Sequence, residues 1–463
     1  MPDRPASILL IHSDQHRFDC VGVNGHPLLK TPHLDRLAGE GVNFTGAFTP
    51  APISSPTRAS LLTGRWPTQH GCVSIPHTEA YRPADAALPT FTQRLNGAGY
   101  LLGHVGKFHG ETAGPPGEFG VHEFVSGHQY ARWRAERGLL PPPNDAGWFG
   151  QADPHVTPAE SRLAWGADRT LELIERFASD GRPFFVRWDP VEPHLPCTPP
   201  QPYASMYPPE RIDPWPSFPD PLEGKPYIQA QQRRTWQIDG FGWERWAPMV
   251  ARYLGVISLL DAQVGRLLDA LDRLGLGDRT LVVYTADHGD LCGGHGMIDK
   301  NYVMYDDVVR VPLLARLPGR LPAGATCDAF VCHAIDLAST FCDAAGLDAP
   351  EMFTGRSLLP LARGEDADPR RDIFGMWQGA QFGLYTQRMV RTRRWKYVWN
   401  ATALDELYDL QADPGEIVNR ARDAACADLL AGLRRRLIEW MASIDDPMLN
   451  PWTRTQLASG LTS

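Results

Sequence analysis

The sequence predicts an α/β fold, in which a large and mostly parallel sheet lies between helices and a smaller C-terminal domain follows. Short uninterrupted runs of Ile, Leu, Val and Phe are typical of parallel strands that are buried on both faces. Helical patterns alternate with these runs. After about residue 365 the pattern changes to short segments typical of an antiparallel sheet, followed by a helix.

Five apolar runs are predicted to form buried strands of the large sheet. Each has the length of an ordinary buried strand. Because helices alternate with the runs, we expect the strands to be parallel. The runs cover residues 7–12, 101–105, 183–188, 280–285 and 311–316.

Two helices can be placed from their sequence signals. Thr31 followed by Pro32 predicts a capped helix start. Apolar residues recur at helical spacing over 249–275, which predicts one long amphipathic helix. The stretches 110–157 and 195–245 are rich in Pro, Gly and Trp, so we expect long loops there, and loops of such length are usually functional.

The change in pattern near residue 365 predicts a domain boundary, with one domain at 1–365 and a second at 366–463. In the second domain, residues 394–399 and 406–410 are predicted strands and residues 427–444 a predicted helix. We expect this smaller domain to combine an antiparallel sheet with a helix.

Composition narrows the function classes. The chain has 463 residues, 43% hydrophobic and 21% charged, which is typical of a globular protein. Its net charge of -9 argues against a nucleic-acid partner. No apolar stretch is long enough to span a membrane, and the first apolar run starts too near Met1 to follow a signal peptide, so we expect a cytoplasmic protein. The eight cysteines lack metal or disulfide spacing.

Polar side chains follow the first and fourth predicted strands. Asp14 and Gln15 come after residues 7–12, and Asp287 and His288 come after residues 280–285. Because the carboxyl ends of parallel strands meet at one sheet edge, these groups are expected to lie together. Their oxygens and single nitrogen suit Ca²⁺, Mg²⁺ or Mn²⁺. For an isolated Asp, a helix cap is the better interpretation.

A further group of residues precedes and enters a predicted helix. Ser55 and Pro56 resemble a helix N-cap and first position, which would put Ser54 where free N–H groups favour an anion. Arg58 adds a positive charge one turn later. Taken alone, this motif is better explained as an ordinary capped helix with a surface arginine.

Basic residues follow other strand ends. Lys107 and His109 alternate beyond residues 101–105, so both should project to one side. His194 follows residues 183–188, and Lys300 lies downstream of Asp287. A lysine can hold an anion, and a histidine can transfer protons near neutral pH. Each of these residues, taken singly, is as well explained by a structural role.

Taken together and in this order, the motifs resemble the sulfatases of the alkaline phosphatase superfamily, from about residue 7 to the segment 406–416. The match implies an alkaline phosphatase-like sandwich. The motifs that carry the resemblance are Ser54-x-Pro56-x-Arg58, Thr63-Gly64-Arg65, Gly106-Lys107-Phe108-His109, Pro193-His194-x-Pro196, Asp287-His288-Gly289 and the later Lys300.

The resemblance implies hydrolysis of a small organic sulfate monoester to alcohol and sulfate. Family nucleophiles are formylglycine residues made from Cys or Ser by a separate maturase, and Ser54 holds that position. One hydroxyl of the hydrated aldehyde attacks sulfur, and the other then expels sulfate. The implied metal ligands are Asp14, Gln15, Ser54, Asp287 and His288, with Ca²⁺ expected first and Mn²⁺ or Mg²⁺ as alternatives.

The remaining residues have implied catalytic roles. Arg58 would hold the formylglycine and the anion, and Lys107 and Lys300 would bind the sulfate oxygens. His109 would contact the nucleophile hydroxyl and act as base, while His194 would face the leaving group. Either His194 or Lys300 could protonate the departing alcohol.

Two alternatives to the sulfatase interpretation stay open from the sequence. Gln15 and His288 stand where many family members have Asp and Asn, as in some choline-sulfatase-like and phosphonate monoester hydrolase-like relatives. A phosphonate monoester or phosphodiester hydrolase, with Ser54 unmodified, is therefore the alternative enzyme, and an anion-binding protein without catalysis is a third reading. The Trp-rich stretch 236–246 could wall the pocket, pack a loop or form a homo-oligomer interface.

Overall fold

The computed structural model describes residues 5–300, 302–366, 368–379 and 384–460. In that part of the chain the strands form an eight-stranded sheet, a four-stranded sheet and one short two-stranded pair. The strands are β1 (Ser7–Ser13), β2 (Val42–Phe44), β3 (Ala47–Phe48), β4 (Leu101–Gly106), β5 (Glu123–Ser126), β6 (Phe184–Asp189), β7 (Thr280–Ala286), β8 (Leu313–Arg316), β9 (Ala325–Cys327), β10 (Val331–Cys332), β11 (Ile373–Gly379), β12 (Tyr385–Arg391), β13 (Trp395–Asn400) and β14 (Glu406–Asp409).

Helices of very different length connect these strands. The two longest, at Arg162–Asp180 and Trp243–Arg273, lie in the segments that precede β6 and β7. The α-helices of the described residues are α1 (Pro32–Gly39), α2 (Ser54–Thr63), α3 (Pro67–His70), α4 (Phe91–Gly97), α5 (Gln129–Glu136), α6 (Arg162–Asp180), α7 (Tyr227–Thr235), α8 (Trp243–Arg273), α9 (Asp306–Val309), α10 (His333–Ala344), α11 (Leu358–Ala362), α12 (Ala427–Ser443) and α13 (Pro451–Ser459).

The large sheet has the order β5-β4-β6-β1-β7-β8-β2-β9. Strands β5, β4, β6, β1 and β7 are parallel, with Leu10 opposite Val283 in the register of β1 and β7. The carboxyl ends of these strands therefore share one edge. This confirms the predicted parallel sheet and four of its five strands.

The prediction of a parallel strand at 311–316 was wrong in direction. The strand is β8, and it runs antiparallel to both β7 and β2. A parallel neighbour needs a crossover that returns the chain to the opposite edge. Between β7 and β8 the described chain contains only the four-residue helix α9 and a 3₁₀ turn, so it turns back at the same edge.

Both faces of the large sheet are covered, because neighbouring residues of one strand enter different cores. Leu9 and Ile11 pack in one core with residues of α1, α6 and α8. Ile8 and Leu10 pack in another with residues of α2, α4 and α10. This explains why the strand sequences are continuously apolar, and it confirms the sheet between layers of helices.

The two helices expected from their sequence signals are present as α1 and α8. Thr31 is the N-cap of α1, but its hydroxyl accepts from the Gly22 N–H at 2.7 Å and not from its own helix. The expected loops 110–157 and 195–245 are not without structure, since they contain β5, α5 and α7. Within the described residues, none of the helices combines the length and apolar character needed to cross a bilayer.

The C-terminal part contains the antiparallel sheet β11-β12-β13-β14 and helix α12, as expected. The sequence did not indicate β11 and β12. This sheet shares one hydrophobic core with the first part of the chain, because Phe48 and Ile53 pack in the same core as Val390 and Trp399. The boundary at residues 365 and 366 stays a prediction.

Candidate active site

The carboxyl edge of the large sheet gathers charged side chains from four strands. Asp14 directly follows β1, Lys107 follows β4, Asp189 ends β6 and Asp287 follows β7. Asp14, Asp189 and Asp287 are fully buried. Ligands of α/β sheets bind at this edge, so the topology puts these residues where a catalytic site is expected.

Asp14, Asp287 and His288 form a cluster with the geometry of a metal site. One ligand atom of each lies within 4.8 Å of the other two. Burial opposes the charged form of Asp14, but Lys107, His194 and Arg58 outweigh burial and hold its pKa well below the usual range. The pKa of Asp287 is lowered as well, against burial and the repulsion of Asp14, by His288 and Arg58. Both side chains are therefore carboxylates at neutral pH.

The donor atoms of this cluster fit a divalent cation. Asp14 Oδ1 is buried and has no hydrogen-bond partner among the described residues. His288 Nδ1 lies 2.9 Å from the Gly289 carbonyl, so this nitrogen donates and the Nε2 lone pair is left for a ligand. Burial lowers the pKa of His288, which keeps the imidazole neutral as metal ligation requires. Two carboxylates with one nitrogen suit Mn²⁺, Ca²⁺ or Mg²⁺.

Gln15 is held beside the cluster in an unusual backbone conformation. Its φ of 67° is uncommon for a residue with a side chain, and its N–H donates to Asp287 Oδ1 at 3.0 Å. Its Oε1 accepts from Lys300 Nζ at 2.7 Å. The structure thus brings Gln15 to the site, and its predicted ligation of a metal stays a prediction.

Ser54 lies at the centre of the edge. Its Oγ is 3.2 Å from His288 Nε2 and accepts from Lys107 Nζ at 3.2 Å. The prediction that Ser55 caps the helix was wrong. Ile53 is the N-cap and Ser54 is the first residue of α2. The Ser55 hydroxyl does not cap the helix, since it donates to the His109 carbonyl. The Ser54 side chain still lies at the positive end of the helix, where an anion is favoured.

Arg58 connects three of the strand ends. From the second turn of α2, its guanidinium donates to Asp287 Oδ2 at 3.0 and 3.1 Å and to Asp14 Oδ2 at 3.2 Å, and it also donates to Asp189. Burial works against its charge, but these carboxylates outweigh burial and raise its pKa. Arg58 is therefore a buried structural and electrostatic centre and not a surface residue.

Lys107 reaches the site because β4 ends in a glycine. Gly106 has a φ of 108°, and a Cβ there would lie 2.1 Å from the Asp189 carbonyl oxygen, so no other residue fits without a backbone shift. The Lys107 ammonium donates to Asp14 as well as to Ser54. The partly buried Lys107 side chain thus contacts both the metal-ligand candidate and the nucleophile candidate.

Lys300 and His194 form a pair on the other side of the cluster. Lys300 Nζ lies 2.9 Å from His194 Nε2, and His194 Nδ1 lies 2.6 Å from the Leu195 carbonyl. Burial and then Lys300 lower the pKa of His194 to about 4, so its ring is neutral and Nε2 accepts. Burial opposes the charge of Lys300, but Asp299 and Asp14 raise its pKa. Lys300 is therefore the proton carrier of this pair near neutral pH.

His109 lies at the rim of the Ser54 site. Its Nδ1 is 3.2 Å from Ser55 Oγ, and its N–H donates to Glu111 at 2.6 Å. Burial, followed by Lys107, lowers its pKa to about 3. The imidazole is therefore neutral, and the side chain that it contacts is Ser55. The predicted role of His109 as base and its predicted contact with residue 54 stay predictions.

Sequence reasoning missed the residues that hold the site in place. Asp189 accepts from Arg58, from His12 at 3.0 Å and from Arg187 at 2.8 Å. One signal in the sequence could have identified Asp189. It is a polar residue at the end of a buried apolar strand, as Ser13 is at the end of β1. The Gln15 amide likewise donates to Asp290 and Asp299, which carried no signal of their own.

The Trp-rich stretch is mainly packing. Trp246 is fully buried and lies against Phe149 and Phe241, with ring centroids 5.6 and 5.9 Å apart. Trp243 donates to the Ile212 carbonyl at 2.7 Å. Of the alternatives left open by the sequence, these contacts favour packing of the long loop.

Comparison with known proteins agrees with this geometry. The family model described as Sulfatase matches residues 6–347. The chain belongs to the sulfatase family. A second model, described as the C-terminal part of N-sulphoglucosamine sulphohydrolase, matches residues 293–443. These matches confirm the predicted family, and the similarity to solved structures confirms the fold.

Individual relatives span nearly the whole chain. An arylsulfatase of Clostridium perfringens is 28% identical and covers 94% of this chain and 94% of its own length. The phosphonate monoester hydrolase of Agrobacterium radiobacter is 26% identical, with a TM-score of 0.80 over 95% of this chain and 96% of its own. The phosphonate monoester hydrolase SpPMH of Silicibacter pomeroyi has a TM-score of 0.83 at 24% identity over 96% and 97%, and so shares the fold.

Proposed function

We propose that this sulfatase-family chain hydrolyses sulfate monoesters of small organic alcohols, with residue 54 as the nucleophile. The observation that carries the proposal is the position of Ser54 Oγ, 3.2 Å from both His288 Nε2 and Lys107 Nζ, beside the buried carboxylates. The relatives named Arylsulfatase support the sulfate ester as substrate.

The basic residues would bind and orient the sulfate group. Lys107 Nζ contacts Ser54 Oγ, Lys300 Nζ contacts Gln15 beside the metal-ligand cluster, and Ser54 itself is the first residue of α2. As the oxygen of residue 54 attacks sulfur, negative charge grows on the transferring group, and fixed positive charges stabilise it without rearrangement. Arg58 keeps Asp14 and Asp287 ionised and in place during this step.

Asp14, Asp287, His288 and residue 54 would hold one divalent cation, with Gln15 as a further candidate ligand. Such an ion lowers the pKa of a coordinated hydroxyl and neutralises charge on the transferring group. The choice among Ca²⁺, Mn²⁺ and Mg²⁺ belongs to the proposal, because all three accept oxygen-rich sites.

Lys300 is the best-placed proton donor for the departing alcohol. The S–O bond to the alcohol breaks as the bond to residue 54 forms, so the alcohol oxygen needs one proton. Lys300 Nζ carries protons and is held by Gln15, Asp299 and His194. His194, neutral and accepting at Nε2, positions Lys300.

A maturase that converts Ser54 to formylglycine is part of this proposal. A sulfate ester on an unmodified serine would need water to attack sulfur, whereas a hydrated aldehyde releases sulfate by C–O cleavage. The alternative function is hydrolysis of phosphonate monoesters or phosphodiesters at the same residues, and the structural similarity to the Agrobacterium radiobacter enzyme favours its inclusion in the test.

The test compares esters on one preparation. The protein is produced with and without a formylglycine-generating enzyme, and release of inorganic sulfate from 4-nitrophenyl sulfate is measured beside hydrolysis of phenyl phenylphosphonate. We expect sulfate release in the matured protein that is abolished in Ser54→Ala. Ser179→Ala is the matched control, because that serine is exposed. Equal activity of Ser54→Ala and wild type would refute the nucleophile, and activity only on the phosphonate would favour the alternative.

A further inference from the structure

A large cavity adjoins the site on the side of His194. Its volume is about 770 Å³, which lies within the range of small-molecule pockets. The loop after β6, the start of α6, the middle of α8, and α5 with the chain that follows it form its walls. His194 lines the cavity and also contacts Lys300 Nζ at 2.9 Å. The cavity thus begins one side chain away from the predicted proton donor.

The walls of this cavity are largely apolar. Leu163, Val256 and Leu259 are buried side chains of α6 and α8 that face it, and Leu139 lines it from the chain after α5. Trp148 also lines the cavity, with 47% of its surface exposed, and its ring packs edge-on against Trp236. An aromatic or alicyclic group would bury apolar surface here.

Each cationic guanidinium in the wall already has an acidic partner. Arg134 donates to Asp153 at 2.7 and 3.1 Å, and both side chains are buried. Arg162 donates to Glu192 at 2.8 Å. The described lining residues include these two arginines and no lysine. If a substrate carried a second anionic group besides its sulfate, that group would find no unpaired arginine or lysine among the described residues of the wall.

From this pairing we propose that the cavity receives the alcohol part of the substrate and selects a bulky, largely apolar group without a second negative charge. The inference rests on the proposed function, since it names the substrate class of the same site. A carboxylate or second sulfate that entered the cavity would lose hydration without gaining an ion pair. Sulfated sugars with additional acidic groups are therefore expected to bind more weakly than neutral, apolar alcohols of similar size.

The test uses two alcohols that differ by one charge, methyl 6-hydroxy-2-naphthoate and 6-hydroxy-2-naphthoate, together with their sulfate monoesters. Binding of the alcohols is measured by calorimetry, and kcat/KM of the sulfates by sulfate release. In both measurements we expect the wild type to prefer the methyl ester at least about tenfold, which corresponds to about 1.4 kcal/mol in binding free energy. Equal binding of the two alcohols would overturn the inference.

Two variants locate the preference in the cavity. Glu192→Gln removes the partner of Arg162, so we expect the preference for the neutral alcohol to shrink about tenfold or to reverse. Leu139→Asp places an acid in the wall and should weaken binding of both alcohols, that of the carboxylate more strongly. Leu140→Asp is the matched control, because the neighbouring Leu140 is 60% exposed and does not line the cavity.

The outcomes separate this inference from the proposed function. Preferential binding of the neutral alcohol without sulfate release from either ester would contradict the sulfatase function and support the cavity. Sulfate release from both esters with equal kcat/KM, unchanged in Glu192→Gln, would support the function and overturn the cavity. Equal effects of Leu139→Asp and Leu140→Asp would also overturn it.

Discussion

Replacing Lys107 with methionine tests the electrostatic part of the proposed mechanism. The ammonium of Lys107 lies 3.2 Å from Ser54 Oγ, and its side chain is 14% exposed. Two unit charges about 4 Å apart interact by about 4 kcal/mol at an effective dielectric constant of about 20. Loss of one preorganised donor costs about 10²–10³ in kcat in enzymes of known mechanism. We therefore expect Lys107→Met to lower kcat for an aryl sulfate about 10²–10³-fold.

The assay is sulfate release at saturating substrate, with the metal content measured on the same sample. Metal binding should persist, because the variant removes a positive charge beside the cation site. Lys30→Met is the matched control, since Lys30 is exposed and has none of the contacts that Lys107 makes. A Lys107→Met enzyme with kcat close to the wild-type value, or a similar loss in Lys30→Met, would refute the reasoning.

Three further predictions follow from buried charges. Asp189→Asn leaves Arg58 without one of its carboxylates, so we expect the free energy of unfolding to fall by about 3–5 kcal/mol and kcat to fall as well. Urea titration and sulfate release measure the two effects, and Asp278→Asn, at an exposed position, is the control. Burial raises the pKa of Asp261 to about 7, so its stabilising contribution is complete below a pH of about 4 and is lost as the pH rises through about 7. Urea unfolding should therefore show wild type losing stability relative to Asp261→Asn over that interval, and parallel curves would contradict this. Chelation should lower the melting temperature by leaving Asp14 and Asp287 unneutralised, and saturating Mn²⁺ or Ca²⁺ should restore about 3 kcal/mol, whereas an unchanged melting temperature would argue against the metal site.

The sequence predicted those parts of the fold that leave a periodic signal. The buried strands β1, β4, β6 and β7 read as continuous apolar runs because both of their faces enter a core. The direction of β8 left no such signal, since an antiparallel strand that is buried on both faces has the same composition. It depends on the short connection over the sheet edge, which only the three-dimensional path reveals.

The sequence predicted those site residues that directly follow a buried strand. Asp14, Asp287 and Lys107 converge because parallel strands share their carboxyl edge. The partners that hold these residues were not predictable in the same way. Asp189 holds Arg58, and Ser55 contacts His109, through contacts between residues 131 and 54 positions apart in the sequence. Long-range pairing of this kind follows from packing and not from local pattern.

The covalent state of residue 54 tests the central claim most directly. The protein from its native host is digested, and the peptide that contains residue 54 is weighed by mass spectrometry in a preparation that releases sulfate from an aryl sulfate. The account predicts a peptide lighter than the serine form by the mass of two hydrogen atoms, as an aldehyde requires. An unmodified serine peptide in such an active preparation would contradict it.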